Sequence, residues 1–195
     1  MPTIISLPAS AVRPAITPAP QAVYLHIPFC RRRCYYCDFA IAVTGEFLPN
    51  AAETSPSETP QKTPVDGSNS DRIRRYVDAL VQEITTVSLA DPSNSLPLTT
   101  IFFGGGTPSL LSVDQFDRIL RALGDRFTIA PDVEISMEMD PGTFNRDKLA
   151  GFLKLGLNRV SLGVQAFQDD LLEACGRLHR RRDVERAIAM LDDFG

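Results

Sequence analysis

The chain of 195 residues has 44% apolar and 23% charged side chains, which is typical of one folded domain with a tail or an insertion. Its formal net charge of −4 argues against nucleic acid as the main partner. No stretch approaches the roughly 18 uncharged apolar residues that cross a membrane, and no secretory signal opens the chain, so we expect a cytoplasmic protein without a membrane span.

Two stretches lack the periodicity of regular structure. Residues 1–20 hold five prolines and a single charge, which predicts a disordered arm; a transit peptide, the alternative, is usually richer in Arg and Ser. Residues 41–70 hold 12 Pro, Ser or Thr and one aromatic residue, which predicts a polar low-complexity insertion on the surface. The folded core is therefore expected to span residues 21–195, interrupted by this insertion.

Apolar runs typical of strands alternate with segments of helical period. The predicted strands are Val23–Ile27, Thr100–Phe103, Val133–Glu138 and Arg159–Gln165. A helical face follows the first strand, from Ile73 to Val87. The second helix begins at Ser112, which has capping-box spacing to Gln115, and is expected to end at Gly124.

The third and fourth strands are also followed by helices. One of these helices contains Leu149 and is expected to end at Gly156. A short helix to Cys175 and another from about Asp183 complete the chain. Four strand–helix units predict an α/β fold with parallel strands. Four units do not close a barrel, so we expect either an open sheet or a piece of a longer barrel.

The third strand separates apolar and polar side chains onto opposite faces. Val133, Ile135 and Met137 share one face, which leaves Glu134, Ser136 and Glu138 on the other. The fourth strand alternates in the same way and ends its polar set at Gln165. Helices should cover the apolar faces, so the polar faces are expected to line an interior cavity for a polar ligand. Edge strands with one face in water are the alternative interpretation.

Three of the four cysteines, Cys30, Cys34 and Cys37, lie in the segment CRRRCYYC directly after the first strand. Three soft ligands in one loop suit zinc or an iron–sulfur cluster. Zinc sites usually combine two separated ligand pairs, and only His26, Cys175 and His179 remain to supply a second pair. A four-iron cluster fits the count better, because one iron would stay open to a small molecule. Three unrelated thiols remain a further alternative.

The three arginines between the first two cysteines add positive charge to this loop. We expect them to offset the negative charge of thiolates and sulfides, and to lower the pKa values of the thiols. His179, which precedes three more arginines, is expected to lie in a solvated basic turn. Cys175 belongs to no motif and is expected to be a buried helix residue.

The cysteine spacing, with an aromatic residue before the last cysteine, resembles the signature of the radical S-adenosylmethionine (SAM) superfamily. The flanking YLHIPFC of residues 24–30 resembles the oxygen-independent coproporphyrinogen III oxidase group. Within it, CDF at residues 37–39 is similar to the heme chaperone branch, because the true dehydrogenases carry another cysteine where this chain has Phe39. The segments IFFGGGTP, EMDPG and NRVSLGVQAF, beginning at residues 101, 138 and 158, continue the resemblance.

The resemblance implies an incomplete radical SAM barrel, with about four of six βα units, and a [4Fe-4S] cluster on Cys30, Cys34 and Cys37. SAM would bind the open iron. The glycine-rich loop would contact the amino group of SAM. Glu138 and Gln165 would form hydrogen bonds with its ribose hydroxyl or amino groups, and Arg177 would pair with its carboxylate. The SAM-binding residues implied in this way are Tyr24, Tyr36, Gly104, Gly105, Gly106, Thr107, Glu138, Gln165 and Arg177.

For function, the resemblance implies a heme chaperone that passes heme to an acceptor protein. An oxidoreductase of porphyrin biosynthesis is the first alternative, and a zinc-binding interaction module is the second. Whether the protein is an enzyme stays open, and no catalytic residue is assigned. The heme-binding part of the family lies in a C-terminal half beyond this sequence, so we expect a cofactor-binding portion that is inactive alone.

Overall fold

The computed structural model describes residues 20–44, 70–88 and 96–195, and these ranges hold six strands and five helices. The strands are β1 (Ala22–Ile27), β2 (Phe29–Cys30), β3 (Ala42–Val43), β4 (Leu98–Gly105), β5 (Ile129–Met139) and β6 (Arg159–Leu162). The helices are α1 (Asp71–Thr86), α2 (Val113–Arg126), α3 (Arg146–Lys154), α4 (Asp169–Ala174) and α5 (Arg181–Asp192). One turn of 3-10 helix, Pro108–Leu110, follows β4.

Four strands form one parallel sheet in the order β1-β4-β5-β6, which is also their order along the chain. Ile27 of β1 pairs with Gly105 of β4, and Phe103 of β4 pairs with Met137 of β5, so the carboxyl ends of these strands lie at one edge. Helices α1, α2 and α3 connect successive strands. The predicted α/β class with four parallel βα units is confirmed, and the open sheet is a partial barrel.

The core lies between the sheet and the helices, because each strand turns its apolar set toward them. Ile27, Ile101 and Met137 are fully buried on this side. From the helices, Phe116 packs against Phe103 with ring centroids 4.8 Å apart, and against Phe152 at 5.0 Å. Edge-on aromatic contacts of this kind add to the stabilisation from burial itself.

Residues predicted to start or stop helices do so at most of the helix ends. Ser112 caps α2 in a capping box with Gln115. Helix α3 ends in a Schellman motif: Leu157 N donates to Phe152 O, and Gly156 supplies the positive φ of 102°. Helix α2 instead continues past Gly124 to Arg126, since Gly124 keeps a helical conformation and the helix closes with a bond from Phe127 N to Leu123 O.

Strand β6 ends at Leu162, three residues before the predicted end. Gly163 N still donates to Met139 O, at 2.8 Å, but the next two bonds close three-residue turns, from Val164 N to Leu162 O and from Ala166 N to Val164 O. Gln165 has a φ of 66°, which is rare for a residue with a side chain. The chain therefore turns away from the sheet before it reaches Gln165.

The predicted arm and insertion lie almost entirely outside the described residues. Of the insertion, residues 41–44 and Ser70 are described: Ala42 and Val43 form β3, which pairs with β2, and Ser70 caps α1. Both ends of that stretch thus contribute to regular structure. Among the helices of the described ranges, none combines the length and the apolar character needed to span a membrane.

Two helical glycines predict opposite effects of the same substitution. A Cβ at Gly151 in α3 would lie 2.7 Å from Val113 Cγ2 of α2, whereas a Cβ at Gly124 would meet only Ile129 Cδ1, at 3.9 Å. Gly124→Ala should raise the free energy of unfolding by about 1 kcal/mol through helix propensity. Gly151→Ala should lower it by about 1–3 kcal/mol through overpacking.

Chemical denaturation of the two variants against the parent chain measures both effects. The double variant Gly151→Ala/Val113→Ala should recover part of the loss, because it removes the methyl groups in the way. Equal stabilisation by both glycine substitutions would contradict the tight packing of α2 on α3.

Candidate functional site

A cavity of about 340 Å³ opens at the carboxyl ends of β4, β5 and β6, where the cysteine loop lies against the sheet. All the predicted site residues except Tyr24 and Gly104 line it. They come from five separate parts of the chain and meet here because parallel strands bring their carboxyl ends to one edge. These lining residues are Cys30, Cys34, Cys37, Tyr36, Gly105, Gly106, Thr107, Glu138, Gln165 and Arg177.

Backbone hydrogen bonds hold the cysteine loop at both ends. Cys30 belongs to β2, and its carbonyl accepts from Thr44 N at 2.9 Å. Cys37 N donates to Cys34 O at 3.1 Å, which closes a turn between these two ligand candidates. In the middle of the loop, Tyr35 N donates to Cys175 O at 3.1 Å, so the loop is also tied to the end of α4.

Two of the loop arginines brace the loop itself. Arg32 donates to the Tyr35 hydroxyl at 2.8 Å and lies over the same ring, and Arg33 donates to the carbonyl of Cys37 at 3.0 Å. The expectation that these arginines lower the thiol pKa values is not met at Cys30. Burial raises the pKa of the Cys30 thiol, opposed by a hydrogen bond from Thr107 and by the charge of Arg177.

The end of β4 leaves no room for side chains beside the first cysteine. A Cβ at Gly106 would lie 2.7 Å from Phe29 O and 3.0 Å from Cys30 Sγ. Gly105 has a φ of 118°, and its N–H donates to Glu138 Oε2 at 3.1 Å. Thr107 follows, is almost fully buried, and its hydroxyl lies 3.5 Å from Cys30 Sγ. The glycines thus let the backbone contact the cysteine loop directly.

Tyr24 and Gly104 lie beside the cavity, on the inner face of the sheet. The Tyr24 ring stacks on Phe102 with centroids 5.9 Å apart, and its hydroxyl lies 3.2 Å from His26 Nδ1. A Cβ at Gly104 would collide with both rings, at 2.7 and 2.8 Å. A glycine at position 104 therefore leaves the space that the rings of Tyr24 and Phe102 occupy.

Arg177 reaches the cavity from a second Schellman motif, at the end of α4. Arg177 N donates to Leu172 O at 2.8 Å, and Gly176 supplies the positive φ of 75°. The side chain of Arg177 is 10% exposed. It forms an ion pair with Asp140 and donates to Gly163 O at 3.0 Å, to Tyr36 Oη at 3.2 Å and to Cys34 Sγ at 3.5 Å.

The sequence did not indicate the roles of Asp140, which lines the cavity, and of its neighbour His179. Asp140 directly follows β5, and an acidic residue at the carboxyl end of a barrel strand is the signal that could have revealed it. The prediction of a solvated His179 is wrong: the residue is 2% exposed and its Nε2 lies 3.1 Å from Val164 O. Burial lowers the pKa of His179. Cys175, predicted to be buried, is half-buried at the end of α4.

The donor set fits an iron–sulfur cluster better than one metal ion. Within residues 20–44, 70–88 and 96–195, no three His, Cys, Asp or Glu residues lie close enough together to hold a single ion. Three thiols spread around one cavity instead suit a larger inorganic body with iron and sulfide. In the same ranges, Arg177 Nε and His179 Nδ1 are buried without a hydrogen-bond partner. The cavity is thus lined by three thiols and one buried guanidinium.

Comparison with known proteins gives the same family across most of the chain. The model of the radical SAM superfamily matches residues 24–195. The chain is 48% identical over 172 residues to the heme chaperone HemW of Synechocystis sp., which covers 88% of this chain and 36% of that protein. It is 32% identical over 177 residues to the heme chaperone HemW of Escherichia coli, which covers 90% of this chain and 40% of that protein.

A related enzyme and a solved structure are also similar. The chain is 31% identical over 178 residues to the anaerobilin synthase of Escherichia coli O157:H7, over 91% of this chain and 34% of that protein. The structure of coproporphyrinogen III oxidase (HemN) from Escherichia coli, a radical SAM enzyme, superposes with a TM-score of 0.70 and 28% identity. That match covers 91% of this chain and 35% of the other. The chain thus spans little more than a third of the relatives' length.

The hydrogen bond from Thr107 to Cys30 should make the Cys30 thiol easier to ionise in the metal-free protein. Thr107→Val removes a bond that favours the thiolate, so the pKa of Cys30 should rise further above its ordinary value. The rate of Cys30 alkylation at a fixed pH near neutrality should therefore fall, as followed by mass spectrometry of the labelled peptide. Thr107→Ser keeps the hydroxyl and should react like the parent; equal rates in all three proteins would refute the prediction.

Proposed function

The chain belongs to the radical SAM superfamily, and we propose that it is the cofactor-binding portion of a heme chaperone. Membership of this family implies SAM and an iron–sulfur cluster. The proposal adds that the cluster contains four irons, that Cys30, Cys34 and Cys37 bind three of them, and that SAM binds the fourth. The observation that carries it is one cavity lined by three thiols, the glycine-rich end of β4 and a buried arginine.

Each cavity residue has a role in this proposal that its chemistry suits. Gly105 and Gly106, which place the backbone against the cysteine loop, would bring it close to the cofactors, with Thr107 beside the first thiol. Glu138 and Gln165 would accept hydrogen bonds from the amino and ribose hydroxyl groups of SAM. Arg177 would pair with the SAM carboxylate.

Three residues would support these groups. Tyr36, whose hydroxyl accepts from Arg177, would flank the cluster. Tyr24 would contribute its ring from the inner face of the sheet, and Gly104 would make room for that ring.

When bound, a cluster of this kind would be able to supply an electron to SAM. The contribution of the chain is to hold the two cofactors in contact and to keep them partly away from water. Burial of Thr107 beside the half-buried Cys30 on one wall, and of Arg177 on another, serves this purpose. We assign no catalytic residue, because a chaperone needs binding and transfer of heme rather than turnover.

The names of the relatives support the heme chaperone proposal over its alternative. Relatives from Synechocystis, Escherichia coli and Bacillus subtilis, 32–48% identical to this chain, are named heme chaperones. We propose heme as the ligand of the whole protein and a heme-accepting protein as its partner. A tetrapyrrole oxidoreductase is the second candidate, supported by the superposition on coproporphyrinogen III oxidase. Phe39, which lines the cavity where the dehydrogenases carry a further cysteine, argues against it.

Anaerobic reconstitution with iron and sulfide tests the cluster. The parent chain should turn brown, bind close to four irons, and bleach with dithionite. Cys34→Ala should lose the cluster. Cys175→Ala should retain it, because this half-buried residue lies at the end of α4 and contributes its backbone carbonyl to the loop. Full iron content in Cys34→Ala would refute the ligand assignment, and a colourless parent with one tight zinc would favour the interaction module.

Heme transfer tests the chaperone function. Two samples are compared: the reconstituted chain of 195 residues and a form with the full length of its relatives. Each is titrated with hemin and then mixed with a heme-binding protein from which the heme has been removed. The full-length protein should bind heme and pass it on, as followed by the Soret band. Conversion of coproporphyrinogen to protoporphyrinogen with SAM would instead establish the oxidoreductase.

A further inference from the structure

Asp140 directly follows β5 and lines the cavity, next to the buried side chain of Arg177. The two side chains form an ion pair, with Arg177 10% exposed and Asp140 23% exposed. A buried charge that loses its partner is strongly destabilised, so such a pair is costly to break. The pair is therefore a fixed feature of the wall.

The surroundings of Asp140 hold its backbone in place. Asp140 N donates to Ser109 Oγ at 3.1 Å, and Asp140 O accepts from Thr143 Oγ1 at 2.7 Å. Ser109 and Thr143 also contact each other through their hydroxyls, at 2.6 Å. Lys148, which is 5% exposed, donates from Nζ to Ser109 O at 2.7 Å. Asp140 is thus fixed to the turn after β4 and to the start of α3.

His179 lies near Asp140 without forming a hydrogen bond to it. Its Nε2 lies 3.1 Å from Val164 O, which can only accept, so Nε2 carries the hydrogen. Its Nδ1 is 3.9 Å from Asp140 Oδ1 and has no hydrogen-bond partner among the described residues. A neutral imidazole leaves the charge of Asp140 to Arg177.

Arg177 also contacts the cysteine loop. Its Nη1 lies 3.5 Å from Cys34 Sγ and 3.2 Å from Tyr36 Oη, while Nη2 contacts Asp140 and Gly163 O. A cation beside a sulfur ligand stabilises the reduced, more negative state of an iron–sulfur cluster, because net charge and hydrogen bonds to sulfur set the reduction potential. The carboxylate of Asp140 opposes that effect.

We propose that Asp140 acts on the cluster through Arg177: its carboxylate offsets the guanidinium charge beside Cys34, and so keeps the reduction potential of the cluster low. The inference rests on the proposed function, since it requires a cluster on the three cysteines. It assigns Asp140, which lines the cavity, a role that requires no contact with iron or SAM. Loss of the carboxylate alone should leave an uncompensated positive charge beside the cluster.

Reductive titration of the reconstituted protein without SAM, followed by electron paramagnetic resonance, measures this effect. Asp140→Asn should shift the midpoint potential to a more positive value. Arg177→Gln should shift it to a more negative value, and Asp140→Asn/Arg177→Gln should return it close to that of the parent. Asp193→Asn is the matched control, because Asp193 forms an exposed ion pair with Arg146; it should leave the potential unchanged.

Unchanged potential in Asp140→Asn with full iron content would overturn the inference. If the buried cation prevents folding of that variant, the two proteins that lack Arg177 decide: adding Asp140→Asn to Arg177→Gln should shift the potential positively, and no shift would overturn the inference. Failure of the parent to form any cluster refutes the proposed function instead, so the two failures are distinguishable.

Discussion

A buried guanidinium needs a partner for its charge, and this requirement organises the cavity. Arg177 contacts the residue after β5, the residue after β6 and the cysteine loop. Three parts of the chain are thereby joined at one side chain. Because unpaired burial of a cation is so unfavourable, the folded state fixes these parts relative to one another before any cofactor arrives. Cofactor binding then meets a wall that is already formed.

The division of each strand into two faces makes such a wall compatible with a stable domain. The apolar faces bury residues such as Ile101 and Met137 beneath the helices, and the opposite faces carry Glu138 and the aromatic pair of Tyr24 and Phe102. In a closed single-core protein these polar faces would be costly to bury. Here the carboxyl ends of β5 and β6 line a cavity on that side through Glu138 and Ser161, so the strand pattern that stabilises the core also supplies polar groups for a ligand.

Most local structure could be predicted from the sequence, and most long-range contacts could not. The capping box of Ser112 and the stop at Gly156 depend on residues within a few positions, as do the strand faces. The site residues followed from family motifs, which record long-range contacts indirectly. The burial of His179 and the ion pair of Asp140 depend on distant chain segments that no periodicity encodes. The early end of β6 likewise comes from turns that the apolar pattern does not reveal.

The contact between Cys34 and Arg177 joins positions 143 residues apart in the chain. During synthesis the thiol loop therefore leaves the ribosome long before the helix that completes its surroundings. Until that helix folds, Tyr35 lacks its bond to Cys175, and the sulfurs lack their buried cationic neighbour. Insertion of the proposed cluster would consequently follow the folding of this whole segment, and a nascent chain halted before α4 would display three thiols without their cationic neighbour.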